Sequence, residues 1–332
     1  MTKLLAGAFL LLFSFTAAAQ TPEDSVAFAG ARWQITPLAA GAECRRAQID
    51  MFDSRQTVSV VAVSLKNFTT EIIQLDGKAS PTSELGKAAG ADAALNGSYF
   101  NMKTLVPVTF VLIDKQILGR TTPGETMRTN GVIALRDKRG RKMDILRCDT
   151  TQYSRIARRY RSALAAGPVL VRDGRSVEYD SEDSFYARRH PRTLIGKRAD
   201  GTVVMAVIDG RFKGQADGTT IAETAYIARQ LELVDALNLD GGGSSTLWTA
   251  QEGVLNHPYD NKRFDHEGER GVPNCIVIRR NKQRRKTTAP PAGNAAPGNK
   301  KPGRHRPSGG KCSAGNTNRT KPVKARTGPN SR

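Results

Sequence analysis

The run Asn238-Leu239-Asp240-Gly241-Gly242-Gly243-Ser244-Ser245 gathers a carboxylate, an amide, two hydroxyls and unobstructed backbone into eight residues. On an extended strand Asn238 and Asp240 fall on the same side. Three successive glycines let backbone N–H groups approach a ligand, at an entropic cost that a plain turn does not require. Three further polar stretches interrupt the apolar pattern: Asn96-Gly97-Ser98-Tyr99-Phe100-Asn101, Arg188-Arg189-His190-Pro191-Arg192-Thr193 and Asp209-Gly210-Arg211. Together they offer two carboxylates, Asp209 and Asp240, with several arginines, amides and hydroxyls. That inventory suits an anionic, hydroxyl-rich substrate. Plainer readings stand beside it: Asp209-Gly210 fits a simple turn, Tyr99 and Phe100 fit core positions, and Arg192 fits a surface ion pair.

Several other chemistries lack their residues. No Gly-Lys pair is followed by Ser or Thr, as a phosphate-binding loop requires. Gly242-Gly243-Ser244-Ser245-Thr246 lacks the second glycine of a nucleophile elbow. The body holds only His190, His257 and His266, and no His-Glu-x-x-His, which disfavours a histidine-rich metal centre. The chemistry requires no cofactor, while an oxygen-ligated calcium stays compatible with the donors present. Cys44, Cys148, Cys275 and Cys312 show no C-x-x-C spacing; in an oxidising compartment Cys148 and Cys275 are the expected pair.

The elements that must position these groups read as many short strands. β-Branched runs mark Val58 to Val63, Glu71 to Leu75, Val106 to Ile113, Val132 to Leu135, Val169 to Val171 and Val203 to Ile208. Asp76-Gly77, Asp173-Gly174 and Asp200-Gly201 supply turns, the last two as hairpins. One helix is well signposted: Thr220-x-x-Glu223 is a capping box, and Ile221, Ala225, Ala228, Leu231 and Val234 share a face. The strand Ala236 to Leu239 then runs into Asp240. A shorter helix, Thr82 to Ala89, precedes the strand Ala91 to Leu95, which ends at Asn96. The pattern predicts an α+β fold, a mixed and mostly antiparallel sheet with a few packed helices in a single large domain.

Both ends depart from globular composition. Residues 1–19 read as a signal peptide: Lys3, an apolar stretch from Leu4 to Phe15, then Ala17-Ala18-Ala19. The chain is therefore expected to be exported, periplasmic or secreted, with no permanent membrane anchor. At the other end, residues 279–332 hold 16 Lys and Arg and no Asp or Glu; removing them from the chain's net +20 leaves +4. Such a tail is expected to be disordered and able to bind an anionic envelope polymer or surface. Residues 20–57 read as a segment leading into a domain at 58–278.

The ordered motifs Asn96-Gly97-Ser98-Tyr99-Phe100, Ala166-Gly167-Pro168, His190-Pro191-Arg192-Thr193, Asp209-Gly210-Arg211 and Asn238 to Ser244 resemble those of the phosphodiester glycosidase family. The resemblance implies an exported hydrolase that cleaves the anomeric bond of a sugar phosphodiester, its partner a phosphate-linked carbohydrate. It leaves the sugar unspecified. In that chemistry positive charge grows on the sugar while the departing phosphate gains negative charge. Arg192 is then the candidate phosphate clamp, and Asp240 the carboxylate that attacks the sugar or activates water, with Asp209 as the second acid or base. Gly241, Gly242, Gly243, Ser244 and Ser245 would cradle the anion, while Asn96, Tyr99, Thr193 and Asn238 would bind sugar hydroxyls or orient carboxylates. A non-catalytic phosphoglycan-binding protein is the alternative. Specific nucleic-acid binding rests on charge alone, because no aromatic-interleaved basic motif lies in the body.

Overall fold

Valine-rich runs dominate the centre of the fold because their strands are buried on both faces. In the strand Ser54–Ser64, Val61 and Val63 point into one hydrophobic cluster, and Val58, Val60 and Ala62 into another. The computed structural model describes residues 21–39 and 41–281, so the expected signal peptide 1–19 and the basic tail beyond 281 lie outside the described residues.

Three antiparallel sheets surround a shared core. The largest has eight strands in the order Gln34–Ala39, Ala42–Met51, Ser54–Ser64, Thr202–Ile208, Arg192–Arg198, Leu233–Asn238, Val169–Arg172, Arg175–Ser176. The second has five: Gln116–Gly119, Val111–Ile113, Ser162–Ala166, Gly131–Leu135, Met143–Arg147. The third runs Gly253–Val254, Leu247–Thr249, Ala93–Asn96, Asn274–Arg280, Phe68–Gln74. Val61, Ile195, Met205 and Leu237 of the first meet Ile133 and Leu164 of the second and Leu95 and Ile276 of the third. Each outer face carries a helix. Ile221–Gln230 covers the large sheet with Ile221, Ala225 and Ala228, Tyr153–Arg159 covers the second with Tyr153 and Ile156, and Thr82–Ala88 sets Leu85 beside Trp248 on the third. Among the described residues no helix is long and apolar enough to cross a membrane.

The capping box at Thr220 forms as its sequence requires: Glu223 N–H donates to Thr220 Oγ1 at 3.1 Å and Thr220 N–H donates to Glu223 Oε2 at 2.9 Å. The helix stops at Gln230, and Glu232 at φ +64 turns the chain so that Val234 belongs to the next strand. Both Asp-Gly hairpins are present. The fold is α+β but richer in sheet than the pattern suggested.

Three expectations need correction. Val106 to Ile113 is a strand only over Val111–Ile113, because Leu105 takes φ +58 and Pro107 has no N–H to give a ladder. Residues 20–57 are not merely a lead-in: Gln34–Ala39 and Ala42–Met51 are the first two strands of the large sheet. Cys148 and Cys275 do not pair. They are free buried thiols in clusters on the outer faces of different sheets, with burial pushing Cys148 up to about 11 and Cys275 to about 12.

The sheets are joined where backbones come closest. Gly97 N–H donates to Asn274 O at 3.0 Å, and Gly97 O accepts from Asp240 N–H at 3.0 Å. A Cβ at Gly97 would lie 1.9 Å from Asn274 Oδ1 and 2.9 Å from Asn274 O. Gly97→Ala is therefore expected to lower stability by about 1–3 kcal/mol in chemical denaturation, through overpacking. Gly124→Ala, whose new methyl meets nothing within 4 Å, should stay within about 0.5 kcal/mol; equal effects would refute the close-approach account.

Candidate active site

Antiparallel pairing brings the polar stretches to one edge of the large sheet. Arg192 starts a strand opposite Ile208, the residue before Asp209, and Leu194 pairs with Asn238, two residues before Asp240. The third sheet reaches the same edge through Asn96. Its Nδ2 donates to Asp240 O at 2.7 Å, while Oδ1 accepts from Thr193 Oγ1 and Thr246 N, both at 3.0 Å. The second sheet arrives through Gly167-Pro168: Tyr99 OH donates to Gly167 O, and Asn238 N–H donates to Pro168 O at 3.0 Å.

Asp240 is the carboxylate at the centre of this assembly. The residue keeps some solvent contact while its carboxyl is densely surrounded. Burial raises its pKa from the ordinary 3.8 to about 6, opposed by Ser244, Arg270, Arg128 and the Gly241 N–H. Ser244 and Gly241 lie close enough to favour the charge, but neither meets hydrogen-bond geometry, and Ser244 Oγ is buried without a partner. Neither carboxylate oxygen is locked in a fully formed hydrogen bond of the kind that engages Asp209.

The glycine loop differs from the expected anion cradle. Gly242 N–H donates to Pro191 O at 2.9 Å, Ser244 N–H to Gly241 O at 3.2 Å and Ser245 N–H to Gly242 O at 3.3 Å. These donors already have partners within the protein. The glycines answer to steric demands of the protein itself: a Cβ on Gly241 would sit 2.6 Å from Pro191 O, and one on Gly243 would sit 1.9 Å from Asp260 Oδ1. Ser244 Oγ and Ser245 Oγ are buried and unpartnered, as is Asn238 Oδ1.

Arg192 is 2% exposed, and its fork is largely committed. Nε donates to Thr219 O at 2.9 Å, and Nη2 donates to Phe185 O at 2.7 Å and Arg188 O at 3.0 Å. Burial pulls its pKa down to about 10, so it stays charged near neutrality. This geometry leaves no free bidentate edge on Nε and Nη2. Three other arginines surround the loop. Arg128 lies 4.4 Å from the Tyr99 ring centroid and pairs with Glu125 at 2.6 Å; Arg270 pairs with Asp260 at 2.6 Å. Arg211, exposed and at φ +70, has no carboxylate partner among the described residues. Its Nη2 lies 3.4 Å from His190 Nδ1, its guanidinium lies 5.3 Å from the Tyr259 ring centroid, and a Cβ on Gly242 would come within 3.2 Å of it. Burial, then Arg192 and Arg211, lower the His190 pKa, so a neutral imidazole faces Arg211.

Asp209 is held differently from Asp240. At 1% exposure, its Oδ1 accepts from His257 N at 2.9 Å and Asn256 Nδ2 at 3.2 Å, and its Oδ2 meets His257 Nδ1 at 2.8 Å. Burial raises its pKa, and the His257 and Asn256 contacts oppose that rise. Both oxygens are engaged, so Asp209 orients His257, whose ring stacks on Phe264 at 3.8 Å. Asn96, Thr193, Asn238 and Tyr99 are buried and bonded to the framework, with Asn238 Nδ2 reaching Gly167 O and Leu239 O, both at 2.8 Å. No local spacing marks Arg128, Arg270 or His257 in the sequence, whereas Arg211 is signalled by its place directly after Asp209-Gly210. Among the described residues no group of three or more His, Cys, Asp or Glu could hold a metal ion.

The phosphodiester glycosidase family profile matches residues 89–279, a span that contains the whole assembly around Asp240. The chain is 35% identical over 100 residues to the SPbeta prophage-derived uncharacterized protein YomE of Bacillus subtilis, covering 30% of this chain and 15% of that protein. It is 29% identical over 106 residues to the N-acetylglucosamine-1-phosphodiester alpha-N-acetylglucosaminidase of Mus musculus, covering 30% and 19%. The aligned stretches thus span less than a fifth of either relative. The zebrafish enzyme of that name, solved as a catalytic domain auto-inhibited by its pro-peptide, superposes with a TM-score of 0.56 at 16% identity over 75% of this chain and 88% of that one. That likeness concerns the fold.

Two measurements separate framework from reactive groups. Arg192→Ala should cost about 3–5 kcal/mol in chemical denaturation, because the Phe185 and Arg188 carbonyls lose their donor, Thr219 O keeps only His190 N–H, and a void opens. Arg211→Ala should cost at most about 0.5 kcal/mol; a stable Arg192→Ala protein would overturn the distinction. For Asp240, folding raises the pKa, so its contribution to stability is full below about 3.8 and is lost as pH rises through about 6. Asp240→Asn should accordingly melt several degrees above the parent at neutral pH and level with it at low pH. No pH dependence in that difference would contradict the raised pKa.

Proposed function

Since the chain belongs to the phosphodiester glycosidase family, we propose that it is a hydrolase cleaving the anomeric bond of a sugar phosphodiester, with Asp240 as general base. The observation that carries this reading is one carboxylate raised to about 6, with Arg270 and Arg128 acting on its charge and Arg211, which has no carboxylate partner among the described residues, against the neighbouring Gly242.

Each group has a separate task. Water attacks the anomeric carbon as Asp240 takes its proton, and the bond from that carbon to the phosphate oxygen breaks with its electron pair leaving on the phosphate. Arg211 meets this growing negative charge with a planar fork that has no carboxylate partner among the described residues and only a 3.4 Å contact to His190. Arg128 and Arg270 add positive potential, though each also balances an acid, Glu125 or Asp260. A phosphate monoester departs without a strong general acid, so one carboxylate suffices and the anomeric configuration inverts. Asp209 acts through His257 and not on the sugar. Arg192, expected to clamp the phosphate, instead holds the short helix carrying Phe185 and the loop carrying Thr219, with one nitrogen, Nη1, uncommitted.

The substrate class is a phosphate-linked glycan or envelope polymer, in keeping with the signal-like residues 1–19 and export to the periplasm or beyond. The mouse relative is named for N-acetylglucosamine; the sugar preference of this chain is a matter for assay. No cofactor enters the mechanism, and a calcium requirement can be read directly from the effect of a chelator.

With a panel of aryl and glycosyl sugar-1-phosphodiesters, kcat/KM should climb as pH rises through about 6, following the Asp240 titration. Asp240→Asn should lower it by roughly 100- to 10,000-fold, and Arg211→Ala should weaken phosphodiester cleavage far more than any action on a neutral glycoside. Tight binding with no sugar released would favour a phosphoglycan-binding protein. Near-normal turnover by Asp240→Asn would remove it from catalysis.

A further inference from the structure

We propose that a basic groove at the opposite end of the same strands is a second binding site, holding a distant stretch of a phosphodiester-linked glycan chain whose end reaches Asp240. The polymer class rests on the function proposed above; the groove itself does not.

The groove has a volume of about 390 Å³ and is lined by Arg136, Arg147, Arg155, Arg159, Arg172 and Lys197, against two carboxylates, Asp144 and Asp235. Both acids are occupied. Asp144 takes Arg136 at 2.7 Å and the Tyr160 hydroxyl at 2.7 Å, and Asp235 takes Arg172 at 3.0 Å. Arg147, Arg155 and Arg159 are exposed and have no ion-pair partner among the described residues. Arg155 and Arg159 stand four residues apart on the helix Tyr153–Arg159, hence on one face, and Arg147 ends the neighbouring strand. An adjoining groove of about 330 Å³ shares Arg136, Asp144 and Lys197 and adds Lys66, Arg141 and Lys142 against Asp200.

Like charges crowded this way repel one another and lower stability unless an anion compensates them. Lys197 lies five residues along its strand from Arg192, about 17 Å at the usual rise per residue. A single phosphosugar cannot bridge that distance, whereas a chain of them can. Tyr160, the aromatic residue lining the groove, is only 2% exposed, so bases have no stacking platform of the kind single-stranded nucleic acid uses. The described fold also ends on this face: Asn281 donates its Nδ2 to Lys66 O at 3.0 Å.

The test uses the full mature chain carrying Asp240→Asn, with and without the triple change Arg147→Glu, Arg155→Glu, Arg159→Glu, and a fluorescent poly(glycosyl 1-phosphate) as ligand. The triple change should weaken binding by about tenfold or more and flatten its salt dependence, with the melting temperature retained. In the otherwise native chain it should raise KM for the polymer and leave turnover of a small aryl phosphosugar unchanged. Unaltered polymer affinity overturns the second site, as does an equal loss on the small substrate. Equal affinity for single-stranded DNA of matched charge, with the same loss in the variant, overturns the choice of ligand. Because binding is read on the Asp240→Asn chain, a failure of the proposed catalysis leaves this result standing.

Discussion

A single buried amide connects the parts on which everything else depends. Asn96 is 0% exposed and uses both ends of its side chain. Its Nδ2 grips the carbonyl of Asp240, and its Oδ1 receives Thr193 from the large sheet and the Thr246 N–H beyond the glycine loop. Inside a poorly screening interior, leaving any of these groups unpaired would cost about 1–3 kcal/mol. The penalty makes the arrangement specific, because alternatives that separate the third sheet from the Asp240 loop strand several polar groups at once. A residue read from the sequence as binding sugar hydroxyls or orienting carboxylates thus serves as the bolt between sheets.

Once the loop is fixed, burial sets the chemistry. The same dense surroundings act on opposite charges in opposite directions: they push Asp240 up to about 6 and pull Arg192 down to about 10. The carboxylate therefore becomes a responsive group near physiological pH, while the guanidinium keeps its charge with room to spare. Arg128 illustrates the balance. Burial opposes its charge, yet Glu125, Tyr99 and Asp240 outweigh that opposition and raise its pKa. An unbound phosphate would enter a region where positive potential is already organised, so little reorganisation is needed when negative charge develops.

Much of this was legible in the residues because local rules and burial agreed. The capping box at Thr220, the two Asp-Gly hairpins and the valine runs of the large sheet read directly from sequence. The strand Ala42–Met51 did not, since Arg45, Arg46, Gln48 and Asp50 obscure its alternation; what makes it a strand is ten residues of register with Ser54–Ser64. The site was legible as to which loops meet, and less so as to who does what. Arg192 reads as a clamp because its planar fork suits two phosphate oxygens, and the Pro191 before it and Leu194-Ile195 after it set it at the start of a strand with a buried face. That entry into the interior is also why its fork goes to Thr219, Phe185 and Arg188. Arg128 and Arg270 reach the loop through tertiary contacts that no local spacing encodes.

Asp209 and Asp240 show why residue type underdetermines role. Each follows a strand of the large sheet, each precedes a glycine, and burial raises the pKa of both. The difference lies in what fills the space next to each. Asn256 and His257 close over Asp209 and engage both its oxygens, so the carboxylate becomes an anchor for an imidazole. Beside Asp240 the chain has Gly241, Gly242 and Gly243, and two of them admit only a hydrogen where Pro191 and Asp260 press in. With no side chain on those three residues, Asp240 is left to the weaker pull of Ser244, Arg270 and Arg128 and is not locked as Asp209 is. The glycine run thus acts less by offering its N–H groups than by withholding any side chain that could silence Asp240.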